Sequence, residues 1–227
     1  MQDATTAGRV VGVLLVFLII GGVVGNFFLT APVFAAPGYL VNAAAHPLNL
    51  SLSAIVGIAT GAIALGIALT TFPVLRRHGE ALALWLLAFA IVNFALAAVE
   101  QVALLSLLSL SNAYNGAAVP DEELFQALRG VVAAARNWAH YVHLMITGGM
   151  LLVFFSALCR FALVPRVLAA IGIVACSLQI VGVAMPIFGL PVAFPLLAPM
   201  GVAILATAVW LLIKGFSDRH PAAQTVP

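Results

Sequence analysis

The stretch with the clearest chemical potential opens a long apolar segment and contains Arg136, Asn137, His140 and His143. In a helix, Arg136, His140 and His143 lie on one face, because they are four and then three residues apart. Polar side chains are costly inside a membrane span and usually face a protein interior or a water-filled cavity. Imidazole nitrogens are common metal ligands, and an arginine can hold an anionic or zwitterionic ligand. We therefore expect this face to bind a ligand and the rest of the chain to position it.

Other interpretations of the same residues are open. Glu100 and Arg136 could form a structural ion pair between two spans, since pairing lowers the cost of burying either charge. The two histidines, His140 and His143, could be polar contacts between helices. No nucleophile accompanies Glu100, so no complete catalytic set is visible and an enzyme is not favoured.

A metal or haem site is a further possibility. The sequence does not distinguish haem from a transition metal as the cofactor. Its candidate ligands are His46, His140, His143 and Glu100. The H-x-x-H spacing of the pair is a weak motif, and no H-E-x-x-H motif is present. A haem held by two histidines needs them on opposite sides of its ring, so His46 with one of the pair is the expected arrangement.

The composition indicates an integral membrane protein. Of the 227 residues, 64% are hydrophobic and 7% are charged, whereas a soluble domain carries about 25% charged residues. Lipid must therefore cover the surface. The net charge is +2 without a basic patch, so nucleic acid is not an expected partner. Apolar runs long enough to cross a bilayer predict an all-α bundle of six transmembrane helices in a single transmembrane domain, residues 1–227. The spans are predicted at about 9–30, 49–72, 81–110, 131–158, 167–188 and 190–213.

The connections between spans carry their own signals. Pro120–Arg129, between spans three and four, begins with a proline and acidic residues, as helix N-termini prefer, and predicts a short amphipathic helix lying on the membrane. Gly189 is expected to make a tight turn between spans five and six. Pro191, Pro195 and Pro199 recur at four-residue steps in span six, which predicts either a kinked packing helix or a discontinuous helix that lines a substrate site.

The basic residues set the orientation. The positive-inside rule places the side with more arginine and lysine in the cytoplasm, and both termini fall on that side. One side carries Arg9, Arg76, Arg77, Arg160, Arg166, Lys214 and Arg219, and the other carries Arg129 and Arg136.

With this orientation, the polar side chains of the spans gather in the outer leaflet, and the inner halves of the spans are almost purely apolar. A complete proton or ion pathway would need polar groups at both depths. The pattern instead predicts a ligand pocket that opens outward, with Gln179 as a possible floor. Its candidate residues are Glu100, Arg136, Asn137, His140, His143, Asn26, Asn93 and Gln179.

The leading functional hypothesis is a membrane protein with this pocket, which would take a small molecule, a lipid headgroup, or a metal or haem. The alternative is a structural or accessory subunit of a larger membrane complex, or a homo-oligomer, with the G-x-x-x-G pair Gly57 and Gly61 as a contact face. A membrane metalloenzyme or transporter is third. The enzyme would require a stoichiometric metal and a reactive group that the sequence does not show, and against transport no second half of the chain mirrors span six convincingly.

Three segments resemble a known family. They are Thr71-Phe-Pro-Val-Leu-Arg-Arg-His78, the acidic segment followed by Ala-Arg136-Asn-Trp138-Ala, and Leu163-Val-Pro-Arg166-Val-Leu. They are similar to segments of a bacterial multi-pass family known as domain of unknown function 4386, and the resemblance covers about residues 8–216. It implies a compact six-helix protein of the bacterial inner membrane. It implies no activity, so no functional residue is carried over, and the histidine pair departs from the pattern of the family.

Overall fold

Six helices are long and apolar enough to cross a membrane in the computed structural model, which describes residues 3–119 and 121–217. The described residues form helices joined by turns and irregular segments, with no strand, which confirms the predicted all-α fold with six spans and an integral membrane protein. Arg219, one of the residues that set the predicted orientation, lies outside the described residues. The helices are α1 (Ala4–Val23), α2 (Ala31–Phe34), α3 (Tyr39–Ala45), α4 (Pro47–Arg76), α5 (Glu80–Gly116), α6 (Glu122–Arg160), α7 (Arg166–Ala184) and α8 (Ala198–Lys214).

The first span is longer than predicted. It continues from α1 through a π-helical segment, Val24–Leu29, into α2. The connection between the predicted spans one and two, residues 31–48, contains α2 and α3. The prolines and polar residues of this stretch suggest a loop, but α3 buries Tyr39, Leu40 and Ala43. Such burial stabilises helices that are too short to be stable alone.

The helix predicted at Pro120–Arg129 is not a separate element. From Glu122 onward these residues form the first turns of α6, which runs without a break to Arg160. The prediction ended the short helix at Arg129, before Gly130, but a glycine inside a helix costs only about 1 kcal/mol and does not interrupt it. Pro120 itself lies outside the described residues.

The prolines of span six do not lie within one helix. Residues 190–193 are not helical, Phe194–Leu196 is a 3-10 turn that contains Pro195, and α8 begins at Ala198. Pro199 therefore occupies the first turn of α8, where its missing N–H costs nothing. In the described residues, no helix contains all three prolines. The candidate span Phe194–Lys214 begins with the 3-10 turn and continues as α8 after Leu197, so its helix is discontinuous near its start. The expected turn is present, with Gly189 in the left-handed conformation at φ 75°.

The first of two compact units comprises Met1–Val16, Gly66–Phe89 and Gly148–Pro227. In it, α1 lies so close to the chain after α8 that a Cβ at Gly8 would come within 2.8 Å of the Gly215 Cα. The Phe155 ring likewise fills the space at Gly172. The largest fully buried side chains of this unit include Leu15, Leu75, Leu86, Phe154 and Phe155.

The second unit comprises Phe17–Leu65 and Ala90–Thr147. In it, the predicted G-x-x-x-G pair packs against α5. The Gln101 side chain lies over Gly57, and a Cβ at Gly61 would be 2.8 Å from the Ala97 Cβ. This glycine face is therefore covered by α5, which corrects the prediction that it serves as a contact for a partner protein. A hydrophobic cluster in this unit contains Val33, Tyr39, Ala43, Leu50, Leu104 and Leu107.

Candidate functional site

A carboxylate and two histidines meet in the second unit. Oε1 of Glu100, on α5, accepts a hydrogen bond from Nδ1 of His140 at 2.7 Å, and Oε2 accepts one from Nδ1 of His143 at 2.5 Å. The exposed fraction of the side chain is 9% for Glu100, 19% for His140 and 16% for His143. We call these three residues the Glu–His–His cluster.

Helix geometry explains how one carboxylate reaches both rings. His140 and His143 are three residues apart on α6 and so lie on the same face. An ionised carboxylate only accepts hydrogen bonds, so each Nδ1 carries a hydrogen, and the lone pair of an imidazole in this tautomer is on Nε2. Neither Nε2 has a hydrogen-bond partner among the residues that the structure describes, and neither is a buried unpaired atom. Both Nε2 atoms are therefore available to accept a hydrogen bond or to coordinate a metal.

Arg136 lies one turn before His140, yet it forms no ion pair with Glu100. Its Nη1 donates a long hydrogen bond, 3.4 Å, to Oδ1 of Asn137, and its Cζ lies 5.4 Å from the centre of the Phe34 ring. Its Nε is buried and has no hydrogen-bond partner among the residues that the structure describes. The two histidines occupy both oxygens of Glu100, which leaves the guanidinium without a bonded carboxylate in the described structure.

A second polar link between α5 and α6 involves Asn93. Its side chain is 1% exposed, and its Oδ1 accepts a hydrogen bond of 2.6 Å from the hydroxyl of Thr147. Thr147 lies one turn after His143 and also contacts the carbonyl oxygen of that residue at 2.9 Å. Sequence reasoning missed Thr147, although its spacing of four from His143 places it on the histidine face.

The other candidate residues differ in burial and in their position in the fold. Asn26 is exposed, and its amide donates to the carbonyl of Gly22 on its own helix. His46 is exposed between α3 and α4, and Asn137 is exposed on α6. Gln179 is buried in α7 and belongs to the first unit.

The predicted metal ligands do not assemble as a set. In residues 3–119 and 121–217, no group of three or more His, Cys, Asp or Glu side chains is arranged to hold a metal ion. Because Nδ1 of each histidine already binds Glu100, the carboxylate is placed to orient the rings and not to ligate directly. In many metal sites a carboxylate is likewise hydrogen-bonded to the histidines that bind the metal. This arrangement leaves the two Nε2 atoms as the atoms that could coordinate a metal ion.

The π-helical segment before Phe34 gave no signal in the sequence. Its carbonyl groups receive hydrogen bonds from α4, with the Ser53 hydroxyl 3.2 Å from the Gly25 oxygen and the Asn49 amide 3.3 Å from the Leu29 oxygen. Such segments are frequent at functional sites. Here the segment leads directly into α2, which carries the ring that faces Arg136.

Comparison with known proteins gives a family and no activity. No curated protein matches the chain, and no solved structure matches it. A family described as a domain of unknown function, DUF4386, matches residues 10–215, which is nearly the whole chain. Since the match extends from the first span to the end of the sixth, this six-span membrane protein belongs to the DUF4386 family.

Proposed function

We propose that this chain binds a small ligand with a carboxylate or phosphate group at Arg136, beside the Glu–His–His cluster. The observation that carries the proposal is the guanidinium itself. It belongs to a helix long and apolar enough to span a membrane, its Nε is buried without a partner, and no ion pair neutralises it among the described residues. In the bacterial inner membrane, with both termini cytoplasmic as the basic residues predict, the site would lie in the outer leaflet of a single transmembrane domain.

Energetics favour an anion at this position. A charged side chain at the centre of a spanning helix costs about 2.5–3.5 kcal/mol even on the mildest scales, so such residues normally bind a partner. A guanidinium pairs with a carboxylate or phosphate through two parallel hydrogen bonds. Arg136 makes one long bond to its neighbour Asn137, so most of its donors remain for a ligand.

The cluster adds a second requirement for the ligand. The lone pairs on Nε2 of His140 and His143 would accept hydrogen bonds from a hydroxyl or ammonium group. A zwitterion would bring no net charge into this low-dielectric setting, and its acidic group would still pair with the guanidinium. A small acid with a neighbouring ammonium or hydroxyl group therefore fits better than a simple anion.

The test is thermal unfolding of the detergent-purified protein with glycine, acetate or inorganic phosphate as probe. We expect a saturable rise of the unfolding midpoint with at least one probe, which is lost in Arg136→Gln. Arg129→Gln is the matched control, because Arg129 lies two turns earlier on α6 and bonds Gln126. Stabilisation that is absent with all three probes, or that survives in Arg136→Gln, would overturn the proposal.

A metal ion at the same cluster is a second candidate, favoured by the way in which Glu100 orients both imidazoles through Nδ1. Elemental analysis of the purified protein for iron, copper and zinc tests it, beside His140→Ala/His143→Ala. A near-stoichiometric metal that disappears in the double variant supports coordination by the two Nε2 atoms. Absence of metal from both samples after incubation with each ion excludes it.

A further inference from the structure

An apolar groove lies between the start of α7 and the end of α8, within the first unit. Its volume is about 500 Å³, which falls in the range of about 300–1,000 Å³ that small-molecule sites occupy. Apolar side chains form nearly all of its wall. The lining residues are Pro165, Val167, Leu168, Ile171, Ala206, Val209, Trp210, Ile213 and Lys214.

One end of the groove is positively charged. Lys214, the last residue of α8, lines the groove, and Arg166, the first residue of α7, lies between the lining residues Pro165 and Val167. Both cations are exposed. Residues 166–217 contain no aspartate or glutamate, so no acidic side chain of α7 or α8 neutralises this end.

Trp210 provides a polar group in the same groove. Its indole Nε1 is buried and has no hydrogen-bond partner within residues 3–119 and 121–217, although a buried tryptophan N–H usually has one. Tryptophan is also typical of the level at which lipid headgroups meet the hydrocarbon region. Trp210 lies one helical turn before Lys214 on α8, so the indole and the cation are neighbours on one face of the helix.

We propose that the groove holds an anionic phospholipid, with one acyl chain along the apolar wall and the phosphate group at Lys214 and Arg166. The apolar wall suits a hydrocarbon chain, and the two cations suit a negatively charged headgroup. A second copy of the chain fits less well, because two identical grooves facing each other would bring their cations together. This site is independent of the ligand proposed at Arg136.

The test uses Trp210 as the reporter. The variant Trp85→Phe/Trp138→Phe keeps Trp210 as its one tryptophan, and both replaced side chains are exposed. It is reconstituted in phosphatidylcholine vesicles with increasing amounts of phosphatidylglycerol or phosphatidylcholine that carries brominated acyl chains. We expect the Trp210 fluorescence to be half-quenched at a mole fraction of brominated phosphatidylglycerol that is roughly fivefold lower than that of brominated phosphatidylcholine. One added charge contact at a membrane surface would give a difference of this size.

Two further variants complete the experiment. Arg166→Gln/Lys214→Gln should remove the preference for phosphatidylglycerol, whereas Arg9→Gln should keep it, because Arg9 is exposed on α1 and does not line the groove. Equal quenching by the two lipids overturns the proposal, and so does a preference that persists in the double variant. Quenching by neither lipid would also overturn it and would indicate that another protein surface covers the groove.

Discussion

Nδ1 of His143 lies 2.5 Å from Oε2 of Glu100, although 43 residues separate them in the sequence. His140 binds the other oxygen of the same carboxylate. The acid therefore links α5 to α6 through two charge-assisted hydrogen bonds, which are about twice as strong as bonds between neutral groups.

Glu100→Gln should weaken this link. A glutamine side chain offers one accepting oxygen, and its amide nitrogen faces the N–H of the second ring, so at least one hydrogen bond is lost. We expect the free energy of unfolding to fall by about 1–3 kcal/mol, measured by denaturation in detergent. Glu80→Gln, which removes an exposed pair with Arg76 at the start of the same helix, should cost less than about 1 kcal/mol. Equal losses in the two variants would contradict the structural role of the cluster.

Arg136→Met should separate a binding role from a structural role. The substitution keeps an unbranched side chain and removes a buried donor that has no partner, and such a donor costs about 1–3 kcal/mol. The unfolding midpoint without ligand should therefore stay constant or rise, while the stabilisation by the acidic probes disappears. A large loss of stability in the ligand-free variant would instead assign Arg136 to the packing of the bundle.

Thr147 and Asn93 should be energetically coupled. Thr147→Val removes the 2.6 Å hydrogen bond to a buried amide oxygen, so we expect a loss of about 1–3 kcal/mol in unfolding free energy. A double-mutant cycle with Asn93→Leu should give a coupling energy of about 0.5–3 kcal/mol. Thr60→Val is the control, because the Thr60 hydroxyl bonds a carbonyl of its own helix. Additive effects in the cycle would refute the link.

Tyr39 should make the stability depend on alkaline pH. Burial raises the pKa of its phenol, and the positive charge of nearby Arg129 partly opposes this rise. The phenol hydroxyl also donates a 2.8 Å hydrogen bond to the backbone carbonyl of Arg129. Since the folded pKa exceeds the unfolded value of about 10, the contribution is complete below about pH 10 and is lost as the pH rises through the folded pKa. The unfolding midpoint should fall more steeply above about pH 10 in the wild type than in Tyr39→Phe. Parallel pH profiles would contradict this.

Gly8→Ala should be strongly destabilising. The added Cβ would collide with the backbone of Gly215 and Phe216, which cannot yield as a flexible side chain does. Gly22→Ala on the same helix meets nothing within 4 Å and should raise stability by up to about 1 kcal/mol through helix propensity. Thermal unfolding of both variants tests the contrast, and similar midpoints would argue against the close approach at Gly8.

Much of the fold could be predicted because the bilayer restricts what an apolar chain can do. Backbone polar groups in lipid must be satisfied within the segment, so long apolar runs become helices. The ends of those helices were less predictable. Gly130 remains inside α6, and Pro199 lies in the first turn of α8. A glycine inside a helix costs about 1 kcal/mol, which tertiary packing can outweigh, and a proline in the first turn of a helix loses no helical hydrogen bond.

The candidate site was predictable only along one helix. Periodicity alone put Arg136, His140 and His143 on one face of α6, and the cost of charges in lipid singled out Glu100. The rotation of α5 against α6 decided that both histidines, and not the arginine, bind that acid. That choice depends on packing between residues 43 positions apart, which no local pattern encodes. The sequence by itself thus determined a six-span membrane protein with a polar helix face, and the tertiary structure decided that the two histidines, and not Arg136, bind the carboxylate of Glu100.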